Sequence, residues 1–292
     1  MNTEEIKSKK TTKELLEFGI INIDKPSGPT SFSVSEFVCK NLKLRKTSHF
    51  GTLDPKVTGV LPVALNRACK LTGYFLGEDK EYVGVMRIHE DLDIENVRKV
   101  IEEKFIGKIT QMPPVKSRVK RQNREREIYS FELLEQGSDK RDILFRVKCE
   151  GGTYIRKLID DLGKEIGVGA HMLELRRISA GIFNEKTLVN MYDFEKAVQE
   201  YENGDERLLK KMIIPGEIVE RVYPVLKIRE NDLKQILTGK PIHKKDVIKD
   251  EGWKVNLIVS CFCNGRFIGM YKIFRGKEIF AKPEFVMQEM RG

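Results

Sequence analysis

The sequence predicts an α+β fold, with a large domain followed by a small β-rich one. Segments with strand and helix spacing are mixed along the chain without the regular strand–helix–strand order of a doubly wound α/β protein. The last quarter of the chain consists of short apolar runs that are typical of strands. At about 100–200 residues per domain, 292 residues suit one large domain or two unequal ones.

The predicted elements begin with an arm. Residues 1–17 carry equal numbers of Lys and Glu, and we expect a mobile or docked arm. The apolar run 18–23 predicts a strand that turn residues end. The elements predicted next are a helix over 32–42, a polar loop over 45–59, a strand over 59–65, a strand over 82–88, a helix over 94–105, strands over 129–135 and 142–149, a helix over 155–166 and a strand over 172–183.

A domain boundary is predicted near Ile214-Pro215-Gly216, where the pattern changes to short β runs. These runs are Val225–Ile228, Val255–Phe262 and Phe267–Phe274, and Asn264-Gly265 between the last two is a strong hairpin signal. Residues 222–292 carry 14 Lys and Arg against 8 Asp and Glu. The sequence therefore predicts a small basic β domain.

The net charge of +9 suggests a polyanionic partner, because Lys and Arg that neutralise phosphates release condensed counterions. The alternative is that a modest surplus only keeps the protein in solution. The surplus is not spread evenly. Residues 116–127 hold six Lys and Arg against two Glu, and together with residues 222–292 they account for the whole of it.

Other classes of protein are disfavoured. No stretch offers the roughly 20 apolar residues of a membrane helix, and the N-terminus has no apolar core of a signal peptide. Five cysteines without a C-x-x-C pair indicate reduced thiols rather than disulfides or zinc ligands. We therefore expect a cytoplasmic protein that has no metal site and no association with a membrane.

The loop His49-Phe50-Gly51-Thr52-Leu53-Asp54-Pro55-Lys56-Val57-Thr58-Gly59 is constrained by Gly and Pro and presents one carboxylate. Ordered loops on a rigid scaffold commonly carry catalytic groups, so Asp54 is a candidate. The alternative is an Asx turn, in which Asp54 only binds nearby backbone N–H groups.

A second candidate follows Gly151-Gly152-Thr153. Arg156 falls in the first turn of the predicted helix, beside Ile155 of its apolar stripe, and could point inward. A guanidinium in that position needs an anion, and a carboxylate is its best protein partner. The alternative is an ordinary exposed arginine.

Together with DKPSGPTS, GTLDPKVTGVLPVAL, KEYVGVMRIHED, QMPPVKSRVKRQ, GGTYIRKL and GAHMLELRRISAGIF, these features carry a family resemblance. The chain resembles the TruB-type RNA pseudouridine synthases, and within them the archaeal and eukaryotic branch of dyskerin-like catalytic subunits of H/ACA ribonucleoproteins. The resemblance runs from about Phe18 to Phe183. It implies a catalytic domain over 18–215, with a mixed, largely antiparallel sheet flanked by helices. It also implies that residues 222–292 form a PUA-like RNA-binding domain on which arm 1–17 packs.

The resemblance assigns roles to individual residues. It implies that Asp54 is the catalytic nucleophile, that Arg156 is the partner of its carboxylate and that Tyr82 stacks on the target base. The residues that it implies bind the substrate are His49, Leu175 and Lys25, and Lys25 also matches a motif that supports the catalytic loop. Phe50 departs from the small residue that is usual beside this histidine, and we expect it at the lip of the pocket.

The resemblance also implies RNA contacts and partners. Segment 116–127 matches a mobile thumb loop, whose RNA contacts would be Lys116, Arg118, Lys120 and Arg121. In the C-terminal domain the implied contacts are Lys240, Lys244 and Lys245. The reaction requires no cofactor, and the partners would be the RNA substrate, an H/ACA guide RNA and small ribonucleoprotein subunits. Two alternatives stay open: a stand-alone synthase acting on tRNA position 55, and a catalytically silent RNA-binding protein.

Overall fold

A computed structural model describes residues 3–113, 120 and 122–288 of the chain. In this described part, every helix is too short or too polar to cross a bilayer. The chain divides into two compact units, one formed by Ile20–Ile213 and the other by Met1–Gly19 with Ile214–Gly292.

The two units contain helices and strands in mixed order. The helices are α1 (Thr3–Ser8), α2 (Thr12–Glu17), α3 (Ser31–Asn41), α4 (Thr72–Leu76), α5 (Ile94–Lys104), α6 (Ile155–Glu165), α7 (Met191–Glu202), α8 (Arg207–Met212) and α9 (Leu233–Leu237). The strands are β1 (Gly19–Lys25), β2 (Thr47–His49), β3 (Thr58–Leu65), β4 (Lys80–Ile88), β5 (Gly107–Gln111), β6 (Arg124–Gln136), β7 (Asp142–Cys149), β8 (Ala170–Ala180), β9 (Phe183–Asn184), β10 (Ile213–Pro215), β11 (Val225–Lys227), β12 (Ile242–His243), β13 (Ile258–Cys263), β14 (Arg266–Ile273) and β15 (Ile279–Val286).

The sheet of the larger unit runs in the order β1-β3-β8-β4-β7-β6-β5, with β2 beside β3 and β9 beside β8. The pairing of β3 with β8 is parallel, whereas β1–β3, β8–β4, β4–β7, β7–β6 and β6–β5 are antiparallel. The expected α+β fold with a mixed, largely antiparallel sheet is therefore confirmed. The loop predicted over 45–59 contains the short strand β2. This strand was not predicted, because its three residues are all polar.

Helix α6 and strand β4 show why the sequence forms these elements. The apolar residues at helical spacing in α6, Ile155, Leu158, Ile159 and Leu162, are all buried. In β4, buried residues alternate regularly with partly exposed ones, as in a strand with one face on the core. Both elements carry site residues, so their packed faces fix where those residues lie.

The smaller unit contains a sheet in the order β11-β13-β14-β15-β12. Asn264 and Gly265 join β13 to β14 with φ angles of 48° and 80°, so the hairpin predicted there is present. Strand β15 was not predicted, because Lys282, Pro283 and Glu284 interrupt its apolar pattern. Within the same unit, the Phe18 ring stacks on Phe267 at 5.2 Å, and Lys10 pairs with Glu217.

Gly84 lies where β4, β7 and β8 meet, and it leaves no room for a side chain. A Cβ at this position would lie 2.6 Å from the Glu174 carbonyl oxygen and 2.8 Å from both Leu175 Cδ1 and Phe145 Cζ. Gly84→Ala should lower the free energy of unfolding by about 1–3 kcal/mol, the usual cost of overpacking. Denaturant titration of the purified protein measures this.

The matched control is Gly73→Ala in α4, where nothing lies within 4 Å of an added Cβ. We expect that variant to be as stable as the wild type or slightly more stable, since alanine favours a helix. Equal stability of the two variants would contradict the packing described for β4.

Candidate active site

The loop between β2 and β3 presents Asp54 on a fixed backbone. Gly51 and Gly59 both have φ of +97°, which favours glycine at the two ends of the loop. Leu53 and Val57 are buried on either side of the half-buried Asp54. The Val57 N–H donates to the Asp54 carbonyl at 3.0 Å. The loop is thus pinned by two apolar side chains, and the carboxylate between them is left accessible.

Lys25, at the end of β1, supports the Asp54 loop through buried hydrogen bonds. Its ammonium is fully buried and donates to the carbonyls of Pro26 at 2.9 Å, Pro55 at 2.9 Å and Val57 at 2.8 Å. Burial lowers the pKa of Lys25, and the negative charge of Asp54 opposes that shift. Lys25 was expected to bind the substrate as well as to support the loop. With no exposed surface it cannot contact a substrate here, so its position fits loop support alone.

Two further contacts fix the same loop. The Ser31 hydroxyl, at the start of α3, donates to the Leu53 carbonyl at 3.0 Å and accepts from the Leu53 N–H at 2.8 Å. The Gly28 N–H donates to the Pro55 carbonyl at 2.9 Å. The segment from Lys25 to Ser31 therefore contacts the backbone on both sides of Asp54.

Arg156 reaches this loop from the first turn of α6. Its Nη2 lies 2.6 Å from Asp54 Oδ2, and both side chains are about half exposed. The start of α6 is held by the buried Gln111 at the end of β5. The Gln111 amide accepts from the Tyr154 N–H at 3.0 Å and donates to the Tyr154 carbonyl at 3.2 Å. The structure thus brings together the two residues that two separate motifs singled out.

Tyr82 and Leu175 lie on adjacent strands, β4 and β8. Tyr82 is opposite Arg177, and Gly84 is opposite Leu175, in the antiparallel register of this pair. Tyr82 and Leu175 are 8% and 7% exposed. Burial raises the pKa of the Tyr82 phenol, and the positive charge of Arg177 opposes that shift. The phenol of Tyr82 therefore lies within the electrostatic influence of the residue opposite it on β8.

Arg177 is a site residue that the sequence reasoning missed. It is 1% exposed; its Nε donates to the Val60 carbonyl at 2.8 Å and its Nη2 to the Gly51 carbonyl at 3.1 Å. Burial lowers the pKa of this guanidinium, and Tyr82 raises it. One cation on β8 thereby binds both β3 and the Asp54 loop.

The signal for Arg177 was available in the sequence. Leu175 and Arg177 are two residues apart on one strand and so share a face. Arg176 points the other way and pairs with Asp24 at 2.9 Å. Gln111 and Ser31 were also missed as supporting residues. Both belong to quoted motifs, but a polar side chain bound to backbone leaves no pattern in a single sequence.

His49 lies at the end of β2, and its Nε2 is 3.3 Å from Thr52 Oγ1 in the same loop. Phe50 was expected at the lip of the pocket, and this was wrong. It is 1% exposed, and its ring stacks on Phe75 at 4.8 Å and lies 5.8 Å from Phe183. The larger side chain fills the core beneath the loop instead of narrowing the site.

The residues expected to contact RNA fall into two groups. Lys116, Arg118 and Arg121 lie outside the described residues, and Lys120 is exposed. Lys240, Lys244 and Lys245 line one cleft of the smaller unit, together with Asp232, Gln235 and Lys277. Lys245 pairs with Asp232 at 2.6 Å, and Lys240 is bonded to Gln235.

Comparison with known proteins shows the family to which the chain belongs. Residues 40–155 match the N-terminal domain of the TruB family pseudouridylate synthases, and residues 156–219 match the C-terminal domain of tRNA pseudouridylate synthase B. A probable tRNA pseudouridine synthase B of Methanothermobacter thermautotrophicus is 46% identical over 225 residues, covering 77% of this chain and 68% of the relative. The chain belongs to the TruB family of pseudouridine synthases.

Solved structures resemble this TruB-family enzyme along most of its length. A chain from a Cbf5-Nop10-Gar1 complex matches with a TM-score of 0.88 and 37% identity, over 97% of this chain and 89% of that one. A chain from an H/ACA ribonucleoprotein bound to a substrate RNA containing 2′-deoxyuridine matches with a TM-score of 0.87 and 35% identity, over 97% and 89%. The mixed sheet and the β-rich C-terminal unit are therefore those of a pseudouridine synthase.

Lys25→Met tests the support of the Asp54 loop in this synthase. The change leaves the carbonyls of Pro55 and Val57 without their buried donor, and each unpaired group costs about 1–3 kcal/mol. We expect a lower free energy of unfolding and a fall in kcat that exceeds any change in KM. Denaturant titration and a tritium-release assay measure the two effects.

The control is Lys99→Met, at an exposed position of α5. It removes the same charge without removing a buried contact, so both measurements should stay near the wild-type values. A Lys25→Met protein that matches this control in both would rule out the supporting role.

Proposed function

We propose that the chain isomerises uridine to pseudouridine in RNA, with Asp54 as the catalytic carboxylate. The observation that carries this is the ion pair of Asp54 and Arg156, 2.6 Å apart on a loop and a helix that are each held by buried polar side chains. A half-exposed carboxylate beside a fixed guanidinium is accessible to a nucleotide and keeps one orientation.

The reaction breaks the N1–C1′ bond, turns the base and rejoins it through C5, which loses its proton while N1 gains one, so no group is donated and nothing is oxidised. A carboxylate can attack the nucleotide, or stabilise positive charge at C1′ as in retaining glycosidases. Asp54 supplies this group, and Arg156 orients it.

Tyr82 and Leu175 complete the site as we propose it. The flat face of Tyr82 stacks on the base, a contact worth about 1–3 kcal/mol. Leu175 provides an apolar wall, and its position opposite Gly84 brings it close to the β4 backbone. The target base must leave its helical stack to reach them, so His49 at the end of β2 lies where it can contact the flipped nucleotide.

We further propose that the enzyme acts as the catalytic subunit of a guide-RNA particle of the H/ACA type. The similarity to chains from a Cbf5-Nop10-Gar1 complex and from an H/ACA ribonucleoprotein supports this, because it extends over 97% of this chain. The substrate would then be chosen by base pairing with the guide. The cleft lined by Lys240, Lys244 and Lys245 is a candidate for RNA contact in the smaller unit.

Stand-alone modification of tRNA is the second candidate. It is favoured by the relative that is 46% identical and is named a probable tRNA pseudouridine synthase B. The two activities are compatible, since one active site can receive a uridine from a guided substrate or from a tRNA arm.

Asp54→Asn tests the catalytic assignment. The amide is nearly the same size but lacks the charge and the nucleophilic oxygen, so we expect isomerisation to fall on the order of 10³-fold or more while RNA affinity changes little. Tritium release from 5-tritiated uridine in RNA measures the reaction, and filter binding measures the affinity.

Asp91→Asn, at an exposed position after β4, removes a carboxylate from the same unit and should leave both values unchanged. Full activity of Asp54→Asn would refute the mechanism. Absence of activity from the wild type under every condition would favour the third possibility, a silent RNA-binding protein.

The choice between guided and stand-alone activity requires a reconstitution. We expect the purified chain alone to modify unmodified tRNA slowly, and a guide RNA with the small ribonucleoprotein subunits to direct modification to the uridine that the guide pairs around. Mapping pseudouridine in both reactions by carbodiimide-stop sequencing measures this. Modification that ignores the guide sequence would remove the guided proposal and leave the tRNA enzyme.

A further inference from the structure

A cationic face lies on the larger unit beside β2, and its residues belong to neither of the basic segments noted in the sequence. Residues 40–76 contain seven Lys and Arg and a single acidic residue, Asp54. Helix α5 of the same unit differs, because it interleaves Glu with Lys and Arg, as solvated faces usually do. A run with one sign of charge on an ordered element needs a different explanation.

The cationic face is formed by Arg45, Lys46, Arg67 and Lys70. These residues belong to two segments of the chain, which hydrogen bonds of Asn66 hold together. The Asn66 side chain accepts from the Arg45 N–H at 3.0 Å, and the Asn66 N–H donates to the Lys46 carbonyl at 2.9 Å. Asn66 is 7% exposed and has φ of 42°, a left-handed conformation that asparagine adopts more readily than most residues. A buried residue therefore holds the two basic segments side by side.

The second segment displays its charges together. Arg67 and Lys70 are three residues apart in the 3-10 helix Asn66–Leu71, where such residues lie nearly above one another. Arg45, Lys46 and Lys70 are exposed, and Arg67 is half-buried. Cys69, between Arg67 and Lys70, lies close enough to Lys46 for its thiol to face the Lys46 carbonyl at 3.9 Å.

The position of the cationic face relates it to the candidate active site. Lys46 directly precedes β2, and β2 ends at His49 beside the Asp54 loop. At about 3.3 Å per residue, Lys46 lies about 10 Å along the strand from His49. This distance spans only a few phosphates of an RNA strand whose nucleotide enters the site.

We propose that the cationic face binds the phosphate backbone of the substrate RNA next to the flipped uridine. It would contact the RNA from the segment that leads into β2. The proposal rests on the proposed function, since it places the RNA strand relative to Asp54.

The test compares two triple variants for binding to a fluorescently labelled, unmodified tRNA transcript. The first, Lys46→Gln with Arg67→Gln and Lys70→Gln, neutralises the cationic face. The control, Lys99→Gln with Lys186→Gln and Lys196→Gln, removes three exposed lysines elsewhere on the same unit. Both should have the unfolding midpoint of the wild type. If the first triple variant is unstable, Lys46→Gln alone gives the same comparison with a smaller effect.

Each phosphate contact contributes about 0.7–0.9 to the slope of log affinity against log salt. The slope of log affinity against log salt should therefore be about 2 smaller for the cationic-face variant than for the wild type. The ratio of wild-type to variant affinity should fall more than about tenfold as salt rises from 50 to 200 mM. The control should keep the wild-type slope, and kcat at saturating RNA should stay unchanged in both variants while KM rises only in the first.

A cationic-face variant with the slope of the control would overturn the proposal. That result is distinct from failure of the proposed function, which would appear as a wild type that binds RNA and forms no pseudouridine. In that case the slope comparison still decides whether the cationic face contacts phosphates.

Discussion

The buried ammonium of Lys25 is the contact on which the candidate site depends. A lysine without exposed surface loses its hydration, and it is tolerated here because three carbonyls replace that hydration and Asp54 lies near with the opposite charge. Two of those carbonyls belong to the Asp54 loop, so the loop turns its backbone inward to Lys25 and its carboxylate outward. The exposed chemistry of the site thus depends on a buried charge.

A second buried cation, Arg177, fixes the strands by binding their backbone, just as Lys25 fixes the loop. From β8 it binds carbonyls of β3 and of the Asp54 loop, and its charge acts on the Tyr82 phenol of β4. The parallel pairing of β3 with β8 places Gly59 opposite Arg177, and a Cβ on Gly59 would lie 2.2 Å from the Arg177 carbonyl oxygen. The close approach of two backbones therefore lets one side chain span three elements.

The fold class and most elements could be predicted from the sequence, because apolar periodicity can be recognised within a short stretch of the chain. It also singled out Asp54 and Arg156, although the choice between an Asx turn and a catalytic carboxylate rested on the family resemblance. Phe50 was misplaced because an aromatic residue beside a functional loop can face either way, and only Phe75 and Phe183 show which. Arg177, Gln111 and Ser31 bind backbone carbonyls and amides. Almost every residue has these groups, so the sequence does not show which of them a side chain binds.

Gln111 has a mechanical role in addition to its place in the core. Its single amide group holds both the N–H and the carbonyl of Tyr154, two residues before Arg156. The end of β5 and the first turn of α6 cannot part without breaking both buried bonds at once. The chain that follows Gln111 in sequence leads into the basic segment 116–127. The orientation of the guanidinium that faces Asp54 therefore depends on the position of Gln111 at the end of β5.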